Sequence, residues 1–402
     1  MRTVDRCART FAVLGAAAFA LGLASASAHT ETVLHSFTGG SDGAYPEGNL
    51  TMDQAGNLYG TTQEGGGGCK VAKGCGTVLK ITSGGTESVL YAFHNTTDGR
   101  WPNGGLVVDT GGNLYGTTYG GRKRNCATVF KVSPVGVETV LYTFQCGSDG
   151  AQPSAGLVAD QSGNLYGTAS SGGANLCECG TVFEVSSGGA FSVLYAFQGG
   201  RANDGADPQG QLTVDGAGNL YGTTVLGGSS HCGNGCGTVF KLAPDGTETV
   251  LHAFRGGQDG SAPRGTLVFD STGNLYGTTL VGGGTGCGGT GCGTVFELAP
   301  DETETILSRF NRSGGPANPA GGVLLDTSDE AFGTTTSGGS GGCGTVFKLV
   351  RDSRITTLYS FTCGDDGSYP DAGLLMDSSG NLYGTTRSGG KSGDGTVFEV
   401  RN

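Results

Sequence analysis

The chain has 402 residues, of which 81 are glycine and only 14% are charged, and its net charge is −12. An acidic chain lacks the basic footprint that general nucleic-acid binding requires, which removes nucleic acid as an expected partner. Glycine this abundant marks low complexity when scattered, but here it recurs at fixed places between β-rich runs, the mark of a folded repeat.

Residues 1–28 read as a signal peptide. Arg2, Arg6 and Arg9 form the positive start, Phe11 to Ala24 the apolar stretch, and Ala26-Ser27-Ala28 the small-residue cleavage signature. The stretch is shorter than the roughly 20 residues of a membrane span. Cys7 precedes it, the wrong place for a lipid-modified cysteine. A mature chain is expected from His29, secreted or periplasmic, without a membrane span or C-terminal anchor. Losing three Arg and one Asp takes its net charge to −14.

The phrase GNLYGTT, or a close variant, then recurs with its second glycine at Gly60, Gly116, Gly167, Gly222, Gly277, Gly333 and Gly384. The steps are 56, 51, 55, 55, 56 and 51 residues, a repeat architecture. In the second unit Gly105–Asp109 is a short apolar run, followed by a turn and then Asn113–Thr118. A loop leads to Ala127–Val132, and a second turn to Glu138–Phe144. Four β-branched and aromatic runs punctuated by Gly, Pro, Asn and Asp predict a four-stranded antiparallel meander, with strands a to d. No helical periodicity is sustained. The expected fold is all-β: a single seven-bladed β-propeller over 29–402.

The termini argue for closure. Glu31–Phe37 is a strand d without its a, b and c, and Gly395–Val400 is a strand c without its d. Pairing them completes the seventh blade, whereas a β-solenoid would need capping repeats instead. The recurrent Tyr of NLYG (Tyr59, Tyr115, Tyr166, Tyr221, Tyr276, Tyr383) and Phe of GTVF are expected in the inter-blade core. In the sixth unit Phe332 replaces that Tyr, Ser308-Arg309 is expected to interrupt strand d, and Gly314-Gly315 replaces the Asp-Gly that follows.

Twelve of the thirteen cysteines lie beyond the signal peptide, an even number in an exported chain. Cys75, Cys126, Cys179, Cys236, Cys292 and Cys343 each stand directly before strand c. Cys69, Cys177, Cys232 and Cys287 precede them in the same b–c loop, predicting Cys69–Cys75, Cys177–Cys179, Cys232–Cys236 and Cys287–Cys292. Cys146 and Cys363 follow strand d, so Cys126–Cys146 and Cys343–Cys363 would staple a c–d hairpin. The single residue between Cys177 and Cys179 strains that bridge. Zinc is disfavoured, because each loop offers two ligands rather than about four and no repeated His.

No catalytic constellation emerges. The five His (29, 35, 94, 231, 252) show no repeat pattern and no HExxH. Gly338–Gly342 fits GxSxG but lacks the strand–turn–helix setting of a nucleophile elbow. Asn49, Asn95 and Asn311 open N-x-[ST] sequons, relevant only in a glycosylating host. The strongest recurrent polar feature is the Asp-Gly loop after strand d, with Asp42, Asp98, Asp149, Asp204, Asp259 and Asp366. Its Asp and Gly are turn formers. No cofactor is expected; calcium is the ion these loops come nearest to holding, but it needs six or more oxygens and each loop has one or two carboxylates.

One asymmetry looks functional. The d–a and b–c loops should emerge on one face. The residue before the d–a proline is Tyr45, Trp101 and Tyr369 in units one, two and seven, and Gln152, Asp207, Ala262 or Asn318 elsewhere. Those three units become neighbours on closure. The same sector carries Lys70, Lys73, Arg100, Arg122, Lys123, Arg124, Arg387 and Lys391. Aromatic faces and cations together suit a glycan or another anionic polymer.

The order GNLYGTT, GTVFKL, ETVLYAF across residues 30–402 resembles the GloVer tandem-repeat proteins, exported bacterial propeller-like proteins often joined to surface anchors. The resemblance implies fold and export and brings no activity; from the anchored members this chain is expected to differ in having no terminal anchor. GNLY and GTVFKL are also distantly similar to NHL-type and antibiotic-lyase propellers. The leading expectation is a non-catalytic exported propeller that binds a glycan, envelope polymer or protein through its loop face. The alternatives are a polysaccharide or lactone lyase or hydrolase at the channel mouth, and a purely structural surface protein.

Overall fold

Each letter of the repeated phrase has a separate physical task. In the second unit Leu114 is fully buried, and the Tyr115 hydroxyl donates to Asp109 at 3.0 Å. Asp109 also accepts the backbone N–H groups of Gly111 and Asn113 and the Asn113 amide, closing the a–b turn. Gly116 has no room for a side chain: a Cβ would lie 2.7 Å from Phe130 of strand c and 2.9 Å from Leu106. Thr117 donates to the Ala155 carbonyl of the next blade at 3.2 Å. Thr118 pairs with Thr128 of strand c at 2.9 Å, both buried. The expected Tyr core role therefore holds at the ring, with the hydroxyl satisfied at the edge.

The computed structural model describes residues 29–69, 73–121, 126–173, 178–199, 204–228, 232–311, 314–350 and 354–401. The expected signal peptide lies outside them. Strands a to d of the first blade are Thr51–Met52, Leu58–Thr62, Thr77–Ile81 and Glu87–Ala92, hydrogen-bonded in chain order. The same antiparallel a-b-c-d order recurs in seven sheets, making a seven-bladed β-propeller. Among the described residues there is no α-helix, and no helix is long and apolar enough to cross a membrane.

Closure is as expected. Thr30–Ser36 pairs antiparallel with Thr396–Arg401, from Thr30 opposite Arg401 to Ser36 opposite Thr396. The first strand is thus strand d of blade 7, beside Leu382–Thr386 and Leu375–Met376 on the other side of the last strand. Both faces of each inner strand are covered by neighbouring blades, which is why Thr77–Ile81 is buried almost throughout and not on alternate residues. The core clusters sit in the seams: Val78 and Phe93 of blade 1 pack with Leu106, Leu114, Phe130 and Val132 of blade 2. Burying a Phe of this kind stabilises by about 1.5–3 kcal/mol.

Five of the expected disulfides are present: Cys69–Cys75, Cys126–Cys146, Cys232–Cys236, Cys287–Cys292 and Cys343–Cys363. The sixth expected pair includes Cys177, which lies outside the described residues. One expectation fails. Ser308 and Arg309 do not interrupt their strand, since Glu304–Arg309 is continuous and places them opposite Val295 and Thr294 of strand c. A half-exposed outer strand is held by its backbone ladder, which tolerates polar side chains.

Candidate functional site

The loop face is built on a strained residue repeated in every blade. The residue before each d–a proline has positive φ: 55° at Tyr45, 59° at Trp101, 58° at Gln152 and Asp207, 55° at Ala262, 61° at Asn318 and 56° at Tyr369. That conformation costs a non-glycine residue about 1–2 kcal/mol. Two backbone hydrogen bonds hold it. The Tyr369 N–H donates to the Cys343 carbonyl of the preceding blade at 2.9 Å, and its carbonyl accepts from Arg387 at 3.0 Å. The position is thus an inter-blade clip first, and its side chain is left for other uses.

In one sector those side chains meet. Tyr45 and Tyr369 flank a cleft of about 420 Å³, whose walls include Gln63, Glu64, Lys73, Asp371 and Arg387. Tyr369 is 48% exposed. Lys73 lies 5.4 Å from the centre of the Tyr45 ring and 3.6 Å from Glu64. Of the basic residues singled out in the sequence, Lys73 and Arg387 line this cleft.

The others do not join it. Trp101 is not part of the cleft wall; its ring stacks on the Arg100 guanidinium at 3.8 Å in the neighbouring blade. Lys391 is exposed, and its N–H is bonded to the Ser36 hydroxyl. Lys70, Arg122, Lys123 and Arg124 lie outside the described residues. The expected aromatic triad is therefore a tyrosine pair with Trp101 beyond it.

The cleft opens into an axial funnel of about 630 Å³, with which it shares Gln63, Asp371 and Arg387. The residue after each d–a proline points there: Glu47, Asn103, Ser154, Gln209, Arg264, Ala320 and Asp371. The next position is Gly48, Gly104, Ala155, Gly210, Gly265, Gly321 or Ala372, and these form a tight collar. A Cβ on Gly48 would lie 2.6 Å from the Gly104 carbonyl oxygen. Below, Asn49 reaches across the axis to Gln211 at 3.3 Å and accepts from the Gly373 N–H at 2.7 Å.

The two carboxylates of the funnel are desolvated, and one of them is ion-paired. Arg387 contacts Glu47 at 2.7 Å, and Arg264 donates twice to Gln209, at 3.0 and 2.6 Å. Burial raises the Glu47 carboxyl above its ordinary value, Arg387 pulls it back, and Asp371 pushes it up again. Burial likewise raises Asp371, against the pull of Arg387 and Arg264. Sequence reasoning missed this ring. The signal was available: in YPEG, WPNG, QPSA, DPQG, APRG, NPAG and YPDA the third residue differs every time while the fourth is always Gly or Ala.

The Asp-Gly loops behave as turns. Asp98 accepts the His94 and Thr96 N–H groups and the Tyr91 hydroxyl, and Asp149, Asp204 and Asp366 repeat the pattern with Tyr142, Tyr195 and Tyr359. Beside three of these pairs stands a glutamate from an adjacent blade's strand d. Glu31, Glu138 and Glu248 are each pushed up to about 7 by burial, then by the facing Asp. Two of the five histidines do follow the repeat, against the expectation from sequence that none would. His35 lies opposite Val397 and His252 opposite Val239, the register Tyr91 has opposite Val78.

Comparison with known proteins agrees with this architecture. The extracellular domain of a provisionally assigned one-component system of B. thetaiotaomicron superposes with a TM-score of 0.56 at 10% identity, over 92% of this chain and 40% of that one. A luciferin-regenerating enzyme gives 0.45 at 12% identity over 93% and 95%, and a provisionally assigned gluconolactonase 0.46 at 11% over 93% and 92%. No curated protein matches the sequence. A family model matches residues 19–234, 68–291 and 230–402, almost the whole chain, so this protein belongs to the Gloeobacter/Verrucomicrobia repeat family.

Proposed function

We propose that this is an exported, non-catalytic propeller that binds a saccharide polymer through the tyrosine cleft and the axial funnel. The observation that carries the reading is the pairing of Tyr45 and Tyr369 across a cleft walled by amide, carboxylate, ammonium and guanidinium groups. Tyrosine offers an apolar face to a sugar ring. Carboxylates accept from hydroxyls, while Arg and Lys donate to them. A groove running from cleft to funnel suits an extended chain better than a single small molecule. The disulfides fit an oxidising compartment, in keeping with export.

The ionic groups of the site are largely matched: Lys73 with Glu64, and Arg387 with Glu47. That favours a neutral or weakly acidic saccharide over a strongly anionic polymer. The test is an array of neutral and acidic oligosaccharides probed with the wild-type protein and with Tyr369→Ala. Retention lost in the variant supports the reading; equal retention, or none on any saccharide, overturns it.

A second reading rests on one observation, the raised carboxyls of Glu47 and Asp371 at the funnel mouth. A carboxyl that keeps its proton longer can act as a general acid in lyase or hydrolase chemistry. Turnover of a bound saccharide or lactone that Glu47→Gln or Asp371→Asn abolishes would favour this reading over simple binding.

A further inference from the structure

At the outer rim of the ring, six of the seven seams bring together a side chain of strand d, the Asp of the following loop, and the first residue of strand d in the next blade. In four seams the strand-d residue is Tyr91, Tyr142, Tyr195 or Tyr359, and its hydroxyl donates to the Asp at 2.9 Å. In two seams it is histidine, which places an imidazole nitrogen against two carboxylates. We propose that His252, Asp259 and Glu304 form a divalent-cation site at the seam between blades 4 and 5, with zinc as the fitting ion. His35, Asp42 and Glu87 form its counterpart between blades 7 and 1.

Three features of the geometry support this. First, one donor atom from each of His252, Asp259 and Glu304 lies within 4.8 Å of the other two. The His252 Nε2–Asp259 Oδ1 distance is 3.3 Å, as is that of His35 Nε2 to Asp42 Oδ2. A tetrahedron with zinc–ligand bonds of roughly 2.0 Å has an edge of about 3.3 Å, so both pairs already span one edge. Glu304 offers the third donor of that face, within 4.8 Å of the other two.

Second, Glu304 Oε1 and Glu87 Oε1 are shut off from solvent with no hydrogen bond, and the equally enclosed His252 Nε2 has only its 3.3 Å contact with Asp259. Buried polar atoms without partners are costly, and a cation would satisfy several at once. Third, both imidazoles are held in place: His252 packs edge-on against Phe254 at 4.7 Å and His35 against Phe37 at 4.7 Å. The second seam carries the same three residue types at the equivalent places and the same His–Asp contact, with its three donors less closely gathered than those of the first. One imidazole and two carboxylates leave a fourth position for a water or another donor.

The full chain with its disulfides intact would be stripped with a chelator and titrated with zinc chloride, following heat and bound metal per protein. We expect two zinc ions bound, one after His252→Tyr, one after His35→Tyr, and none after both. Tyrosine is what this chain itself carries at the same place in four seams, so these variants should fold. Glu304→Gln provides a second variant that leaves the histidine in place, and it should weaken one of the two sites. Cobalt in place of zinc should give the strong visible absorption of a tetrahedral centre, lost in the double variant. Absent binding, or stoichiometry unchanged by either histidine substitution, overturns the proposal. So does loss in the exposed-histidine control His94→Asn matching that in His252→Tyr.

Discussion

The backbone N–H of Tyr45 donates to the carbonyl of Asp394 at 2.9 Å. Asp394 stands directly before the last strand, where other blades carry a disulfide cysteine, so the ring closure and the cleft share this bond. Deleting residues 30–37 leaves Thr396–Arg401 without its outer partner and removes the fully buried Phe37. The loss should be at least about 3 kcal/mol, the upper value for one buried phenylalanine. Calorimetry should show a lower or broadened transition; an unchanged one would mean that the ring holds without its first strand.

The glycine of GNLYGTT gives a sharper local test. A methyl group on Gly116 meets Phe130 and Leu106, both buried, at 2.7 and 2.9 Å. Overpacking of this kind costs roughly 1–3 kcal/mol. Gly116→Ala should lower stability to denaturant by that amount, whereas Gly85→Ala, in a turn with open space around it but positive φ, tests the separate cost of backbone strain.

These two sites also show what the sequence made legible. Blade number, strand order, closure and disulfide pairing all follow from periodicity, because a repeat must bury the same face each time. The tyrosine pair was legible because Tyr45 and Tyr369 break the repeat in adjacent units. Trp101 broke it too, but which way a side chain turns after a positive-φ residue depends on its neighbours, and Arg100 captures it. The axial ring of Glu47, Arg264 and Asp371 was harder to see, since nothing in a linear reading says that the position after each proline faces the axis. Only the collar of Gly and Ala beside it gives that away.

The disulfides should differ in weight. Cys126–Cys146 spans 20 residues and Cys232–Cys236 only 4. By the chain-entropy argument the longer loop contributes about 3 kcal/mol and the shorter distinctly less. Replacing both members of each pair by serine should lower the melting temperature more for the first pair. Equal losses would point to local packing of the sulfurs as the dominant effect.

The pH profile of stability should have an acidic maximum. Glu31, Glu138 and Glu248 are raised from 4.5 to about 7 in the folded protein, so their stabilisation is full below 4.5 and lost as pH rises through about 7. In the turn carboxyls Asp53, Asp109, Asp160, Asp215, Asp270 and Asp377, burial raises the pKa. Hydrogen bonds, such as those of Asp53 with Asn57 and Tyr59, outweigh it and hold them below 3.8. Their contribution is present above 3.8 and lost as pH falls through the lowered values. Melting temperature should therefore peak between about 4 and 5, and Glu138→Gln should flatten the decline towards neutral pH. A profile rising steadily to pH 8 would contradict the buried-acid account.

The cleft and its neighbouring aromatic make separable predictions. Tyr45 and Tyr369 line one wall-to-wall space, while Trp101 sits on Arg100 in the next blade, outside it. If saccharide stacks in the cleft, Tyr369→Ala should weaken retention about tenfold or more, since an aromatic contact of 0.5–1.5 kcal/mol is lost along with the buried area of the ring. Tyr369 is 48% exposed and its backbone clip survives the change, so melting should move little. Trp101→Ala should leave retention close to wild type. Arg387→Lys keeps the charge but not the forked geometry toward Glu47, so it should weaken binding less than Tyr369→Ala. Affinity electrophoresis against a panel of polysaccharides reads all three at once. Should Trp101→Ala prove the most damaging, the binding surface lies one blade further round the ring than the tyrosine pair.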